Sequence, residues 1–256
     1  MTSSDAYADI KALLPDSLSP KQKEEVVRRI NEGNKEEIGL LLLDKEQLLQ
    51  ELEKPAKAKE KTKKQKKLPD FSQERLRQLA DWQRFYQNSF HKTHDFSHII
   101  IPPKPKGNWR LLIIAKGLTI NQAYNRCQEL FQCYKYTDDL DAKVTKNTRI
   151  PTESYAIWVQ DSIEPDKEYL NQSTNQADPN MTIGITLLER IILELIYFQE
   201  TQKHLDIKGI TFCSASRDAD GDVPDVKGNS GSTRFLVGWC DLDNAIPRCG
   251  LRRAVS

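Results

Sequence analysis

The two cysteines nearest the C terminus, Cys240 and Cys249, are the first candidates for chemistry. Two thiols can act as nucleophiles or bind copper when their pKa is lowered or their sulfurs converge. Arg248 adjoins Cys249, but no histidine follows His204. The sequence therefore keeps a cysteine-dependent enzyme as an alternative function. The other cysteines have apolar neighbours typical of core positions: Cys127, Cys133 and Cys213.

The segment "HKTHDFSH" contains His91, His94 and His98. On a helix these spacings would place the three imidazoles on one face, with Asp95 beside them. Zinc and iron bind such ligands. The spacing is not that of a metalloprotease helix and no fourth ligand is evident, so a polar surface turn is the competing interpretation. A metal-dependent enzyme stays an alternative, and no metal or cofactor is assigned.

The segment "DADGD" begins at Asp218 and resembles the start of a calcium loop. An EF-hand needs glycine at its sixth position and glutamate at its twelfth, where this chain has Val223 and Asn229. An EF-hand is therefore excluded, and a looser calcium site or an exposed turn remains. The chain has no nucleophile elbow, P-loop or dinucleotide fingerprint. No helix follows the glycine-rich "GNSGS", so a phosphate cradle is not expected.

The composition limits which elements can position these residues. The 256 residues have room for one sizeable domain and a smaller one. The net charge of +1 argues against a polyanion-binding role for the whole chain. The polar start, with no signal-peptide pattern, predicts a cytoplasmic protein with free thiols, although surface display by another route stays open. No apolar run reaches membrane-spanning length.

Three zones follow one another along the chain. Residues 1–53 predict a helical segment whose leucine stripe packs internally or against a protein partner. Residues 54–68 contain eight lysines and predict a disordered linker, with weak nucleic-acid contact as the alternative to a solvated spacer. Residues 69–256 have a globular composition.

The globular zone alternates between helical and extended patterns. Helices are predicted in "FSQERLRQLADWQRFYQNSF", "TINQAYNRCQELF" and "ITLLERIILELIYFQETQKHLD". The last has a capping box at Thr186 and Glu189, and its apolar residues predict burial on most sides. Strands are predicted in "WRLLIIAKG", "SYAIWVQD", "KGITFCS", "RFLVGWC" and "LRRAVS". This order predicts an α+β fold with a mostly antiparallel sheet of short strands.

Two late segments together resemble a known family. The stretch "GITLLERIILELIYFQETQKHLDIKGITFCSASRDADGDVPDV" and the ending "LVGWCDLDNAIPRCGLRRAVS" resemble variable proteins of diversity-generating retroelements, as in minute-genome bacteria. The resemblance covers about Trp109 to Ser256. It implies a C-type-lectin-like domain over 69–256 with a variable region at about 216–256. It also implies a non-enzymatic display protein that recognises a macromolecular ligand. In that family a reverse transcriptase rewrites adenines near the end of the gene while scaffold codons stay fixed.

The period of two through residues 234–240 predicts which side chains point outward. The expected scaffold positions are Val223, Pro224, Val226, Phe235, Val237, Trp239, Leu251, Arg253 and Val255. The expected ligand-binding positions are Asp218, Asp222, Asp225, Lys227, Arg234, Leu236, Gly238, Cys240, Asp241, Asp243, Ile246, Arg248 and Gly250. Lys227 does not fit a simple asparagine-codon origin.

Formylglycine-generating enzymes have the same fold as this family and provide the alternative function. Their active cysteines lie closer together than Cys240 and Cys249, and their flanking motifs are missing here. Calcium-dependent lectins of this fold use EPN-like motifs. The segment "EPD" at 164–166 resembles that motif in part, but it precedes the long helix and not the final strands. A lectin-type calcium site is therefore not predicted there.

Overall fold

The computed structural model describes residues 19–21, 23–24, 71–229 and 234–256. Residues 20, 21, 23 and 24 are helical. The remainder of the predicted segment 1–53, the lysine-rich linker and residues 230–232 of the "GNSGS" motif lie outside the described residues. The chain divides into two compact units, Met1–Ile99 and Ile100–Ser256.

In the first unit, helix α1 spans Phe71–Phe90, as its amphipathic pattern predicted. Trp82, Phe85 and Tyr86 are buried on one side of the helix. The Trp82 and Phe85 rings lie 5.1 Å apart in an edge-to-face arrangement, and Phe85 and Tyr86 repeat this geometry at 5.2 Å. Such ring pairs add attraction beyond the burial of their area.

The second unit contains the remaining described helices and strands. The helices are α2 (Ile120–Leu130), α3 (Leu140–Lys143), α4 (Thr174–Ala177) and α5 (Leu187–Thr201), with a 3₁₀ turn at Lys167–Tyr169. The strands are β1 (Trp109–Ile114), β2 (Gln132–Lys135), β3 (Val144–Asn147), β4 (Tyr155–Gln160), β5 (Ile210–Phe212), β6 (Ser216–Asp218), β7 (Val223–Asn229), β8 (Arg234–Cys240), β9 (Cys249–Leu251) and β10 (Ala254–Val255).

The strands form three sheets within the described residues. The largest has the order β2-β8-β7-β5-β9, a second has the order β1-β4-β10, and β3 pairs with β6. Pairing is antiparallel except for β2 with β8 and β5 with β9, which are parallel. The α+β class with antiparallel sheets is therefore confirmed.

Helix α5, with 15 residues, is the longest described helix of the second unit. Thr186 accepts a hydrogen bond from the backbone N–H of Glu189, and the Glu189 carboxylate accepts one from the N–H of Thr186. The predicted capping box is therefore present. Every residue from Leu187 to Leu195 is buried, which confirms the predicted burial on most sides.

A buried network of charges joins α5 to the end of the chain. The Asp206 carboxylate accepts hydrogen bonds from Arg190, Arg252 and Thr211 at 2.5–3.0 Å. Arg190 also donates to Glu194 at 2.8 Å. Each charged side chain of the network has a partner of opposite charge. Without such partners, burying these charges would cost several kcal/mol, as is typical for an unpaired buried ion. The network joins α5 to Thr211 of β5, in the large sheet, and to Arg252, which lies between β9 and β10.

Candidate functional site

One face of the large sheet packs against helices. Val226 and Val237 are register partners across β7 and β8, and both are completely buried. Phe235, on the same face, has its ring 6.4 Å from Tyr124 of α2 and 5.8 Å from the Arg190 guanidinium of α5. This inner face therefore forms part of the hydrophobic core.

The opposite face of the same strands is open to solvent. Lys227 and Leu236 are register partners one position from the buried valines, and both are partly exposed. Tyr134 of β2 pairs with Leu236 and is 47% exposed. We call the side of β2, β8 and β7 that carries Tyr134, Leu236, Lys227 and Asp225 the open face. It follows from the alternation of side chains along a strand.

The open face contains a concavity of about 430 Å³, here called the aromatic concavity. Its lining residues are Tyr136, Asp225, Lys227, Leu236, Gly238 and Trp239. The Tyr134 and Tyr136 rings lie 4.9 Å apart in an edge-to-face arrangement, and Tyr136 is 69% exposed. Exposed aromatic rings on a sheet offer large contact area at a low entropy cost.

A second concavity, of about 320 Å³, lies on the other side of Lys227 and is here called the lysine concavity. Its lining residues are Ile207, Lys208, Gly209, Ile210, Lys227, Gly228, Ile246, Pro247 and Cys249. Because Lys227 lines both concavities, the two form one surface across the sheet.

Asp225 and Gly238 are register partners at the floor of the aromatic concavity. Burial raises the pKa of the Asp225 carboxyl, while the charge of Lys227 and a hydrogen bond from the Gly238 N–H oppose that rise. A Cβ added at Gly238 would lie 2.4 Å from Oδ1 of Asp225. The carboxylate therefore occupies the space that a side chain at position 238 would need.

The expected ligand-binding positions divide by burial into three groups. The exposed positions are Arg234, Asp241, Asp243 and Arg248. The partly exposed positions are Asp222, Asp225, Lys227, Leu236 and Ile246. The buried positions are Asp218, Gly238, Cys240 and Gly250. For these last four the structure shows burial, and Gly238 nevertheless lines the aromatic concavity.

Asp218 is buried, and its carboxylate stabilises the "DADGD" turn. Its Oδ1 accepts hydrogen bonds from the backbone N–H groups of Asp220 and Asp222, each at 2.9 Å. Its Oδ2 lies 2.8 Å from Nζ of Lys143. Burial works against ionisation, but the hydrogen bond and charge of Lys143 prevail and lower the pKa of the Asp218 carboxyl. The residue thus holds a turn.

Cys240 and Cys249 are buried together with Phe212, Val223 and Leu251. Cys240 lies on the same strand face as Leu236 but is buried, because Leu242 and Ile246 pack over this end of the sheet. Burial raises the pKa of the Cys240 thiol and raises that of Cys249 to about 11. Both thiols are therefore protonated near neutral pH, the opposite of what a nucleophilic cysteine needs.

The three histidines do not share a helical face. They lie in an irregular segment that ends in a turn, which agrees with the competing interpretation of a polar turn. Helix α1 ends at Phe90, and His91 has a φ of 53°. The His94 ring stacks on Phe96 at 5.8 Å, and burial, with a smaller effect of Lys92, lowers the pKa of His94. Among the residues that the structure describes, no three His, Cys, Asp or Glu side chains are grouped to hold a metal ion.

Sequence reasoning did not identify several residues of this surface. Tyr134, Tyr136, Ile207 and Lys208 were outside every predicted site. The segment "YKY" provided a usable signal, because alternate tyrosines next to polar residues are typical of one strand face. Ile207 and Lys208 had no local signal, since only tertiary packing brings them beside Lys227.

Comparison with protein-family models, curated proteins and solved structures finds no match to this chain. A search of the described helices for one long and apolar enough to cross a membrane also finds none.

Proposed function

We propose that this chain is a ligand-binding display protein, the variable protein of a diversity-generating retroelement, with a C-type-lectin-like fold. Its C-terminal sheet binds a macromolecular ligand through the open face. The observation that carries this proposal is the opposite placement of two neighbouring register pairs. Val226 and Val237 are completely buried, whereas Lys227 and Leu236 are partly exposed.

This arrangement separates stability from recognition. Replacing a buried aliphatic side chain costs about 2–5 kcal/mol, because transfer energy is lost and a cavity remains. Replacing a side chain away from the core costs about 0.5 kcal/mol or less. The open face can therefore change its chemistry while the inner face keeps the fold.

The backbone that carries the open face is held on both sides. Strand β7 lies between β8 and β5, and seven consecutive residues of β7 have register partners on β8. A surface that is rigid before binding loses little entropy when it binds. This favours recognition by the side chains of the sheet itself.

The cysteine-dependent and metal-dependent alternatives receive no support from the described residues. Cys240 and Cys249 are buried with raised thiol pKa values, and the three histidines do not converge. We therefore propose a binding function and no reaction.

Sequencing of the genomic locus tests the proposal. We expect a reverse-transcriptase gene nearby and a near-copy of the final codons that differs only at adenines. The differing codons are expected at partly exposed or exposed positions such as Asp222, Leu236 and Asp243. The absence of a second copy, or differences concentrated at Val226 and Val237, would contradict the proposal.

A further inference from the structure

We propose that the partner of this surface is an acidic peptide segment in which a carboxylate is flanked by apolar side chains. The carboxylate binds between Lys208 and Lys227, and the apolar side chains enter the two concavities. This inference rests on the proposed function, because it names the class of ligand that the open face takes.

The positive charges of the lysine concavity are available to a ligand. Lys208 and Lys227 both line it, and neither ammonium group forms an ion pair or hydrogen bond with another described residue. Arg248 is exposed and directly follows Pro247 of the lining. Two carboxylates lie near these three cations. Glu164 accepts hydrogen bonds from the backbone N–H of Lys208 at 3.1 and 3.3 Å, and Asp225 interacts with the charge of Lys227. The local balance therefore favours an anion.

Apolar surface lies on both sides of Lys227. On one side, Ile207 is 38% exposed and lies in the same lining as Ile246 and Pro247. On the other side, the aromatic concavity contains Tyr136 and Leu236. In an extended peptide, side chains alternate direction, so an acidic residue and its apolar neighbours two positions away can face the same surface. The order apolar, cationic, apolar on the sheet thus favours apolar, acidic, apolar in the ligand.

This chemistry favours a peptide over a nucleic acid. Affinity for nucleic acid grows with the number of phosphates that Lys and Arg neutralise. The linings of the two concavities contain only Lys208 and Lys227, with Arg248 next to Pro247. Tyr136 and Trp239 of the aromatic concavity offer aromatic faces, but Ile207, Ile246 and Pro247 of the lysine concavity offer a base no ring on which to stack. Aliphatic side chains of a peptide can bury apolar surface against that lining.

A displayed library of random 12-residue peptides, selected against the immobilised full-length protein, tests the inference. We expect the enriched peptides to share an Asp or Glu with aliphatic or aromatic neighbours. Binding of a synthetic enriched peptide is expected to weaken about tenfold or more in Lys227→Glu, because like charges then meet. Lys227→Gln and Lys208→Glu are expected to weaken it less. Lys106→Glu changes an exposed lysine outside both concavities and should leave affinity within about twofold.

The outcomes separate this inference from the proposed function. One outcome is that the enriched peptides are basic or uncharged, bind Leu236→Asp more weakly and bind Lys227→Glu with unchanged affinity. That outcome would overturn the acidic ligand and leave the display function standing. A labelled dT12 oligonucleotide that binds as tightly as the best peptide would also overturn it. Failure to enrich any peptide that depends on Leu236 would overturn the peptide ligand and leave the display function, which the genomic locus tests separately.

Discussion

Lys227 and Leu236 are register partners on β7 and β8, and both lie partly exposed on the open face. One step along each strand, Val226 and Val237 form the next register pair and have no exposed surface. Two adjacent pairs thus have opposite roles because strand side chains alternate. The inner pair supports the fold, and the outer pair is available to a ligand.

Breaking the buried charge network by removing one partner is expected to be strongly destabilising. Asp206→Ala leaves Arg190 and Arg252 buried without their shared carboxylate, which should lower the free energy of unfolding by about 3–5 kcal/mol. Urea denaturation followed by circular dichroism measures this change. Glu153→Gln is the control, because its ion pair with Lys116 is exposed and should contribute less than about 1 kcal/mol. Equal effects of the two changes would contradict the role of the network.

Asp166 is expected to make stability fall between about pH 4 and pH 6. Burial raises the pKa of its carboxyl to about 6, whereas an unfolded aspartate has a pKa near 3.9. The folded state therefore holds a proton that the unfolded state releases, so this contribution is full below about pH 4 and is lost by about pH 6. Urea denaturation at several pH values should show a smaller decrease in Asp166→Asn than in the parent. Identical pH profiles would refute the assignment.

The two C-terminal cysteines are expected to be unreactive in the folded protein. Iodoacetamide at pH 8 should modify Cys240 and Cys249 far more slowly in the native state than in urea, because burial keeps the thiols protonated. Mass spectrometry of peptides gives the rate for each site, with the half-buried Cys133 as an internal comparison. Native labelling of Cys249 at its unfolded rate would restore the cysteine-dependent alternative.

Gly250 is expected to be intolerant of substitution although it lies among the predicted variable positions. A Cβ there would lie 2.7 Å from the carbonyl oxygen of Tyr169, so Gly250→Ala should cost about 1–3 kcal/mol of stability. Thermal unfolding measures the loss. Arg248→Ala, two residues earlier and exposed, should change stability by about 0.5 kcal/mol or less. If Gly250→Ala leaves the thermal stability unchanged, the backbone around Tyr169 adjusts to the added methyl group and the prediction is wrong.

Local patterns predicted the long elements well. The capping box at Thr186 and the apolar circumference of α5 carried enough information to place that helix. The period of two placed Phe235 and Val237 inward. These signals are short-range, so they can be read from one sequence.

Features that depend on distant partners were not predicted. Strands β2 and β9 are short and pair in parallel with β8 and β5, which no local pattern indicates. Ile246 packs against the cluster that contains Cys240, and the backbone of Tyr169 lies against Gly250. One signal was available for the charge network. Arg190 and Glu194 lie one turn apart on a helix predicted to be buried on most sides, where charges need partners.

The most direct measurement compares two libraries of the full chain. One randomises Asp225, Lys227 and Leu236, and the other randomises Val226, Phe235 and Val237, with the free energy of unfolding of each variant obtained from protease resistance. Most open-face variants should stay within about 1 kcal/mol of the parent, while most inner-face variants should lose more than about 2 kcal/mol. Two libraries with the same distribution of stability would contradict this expectation.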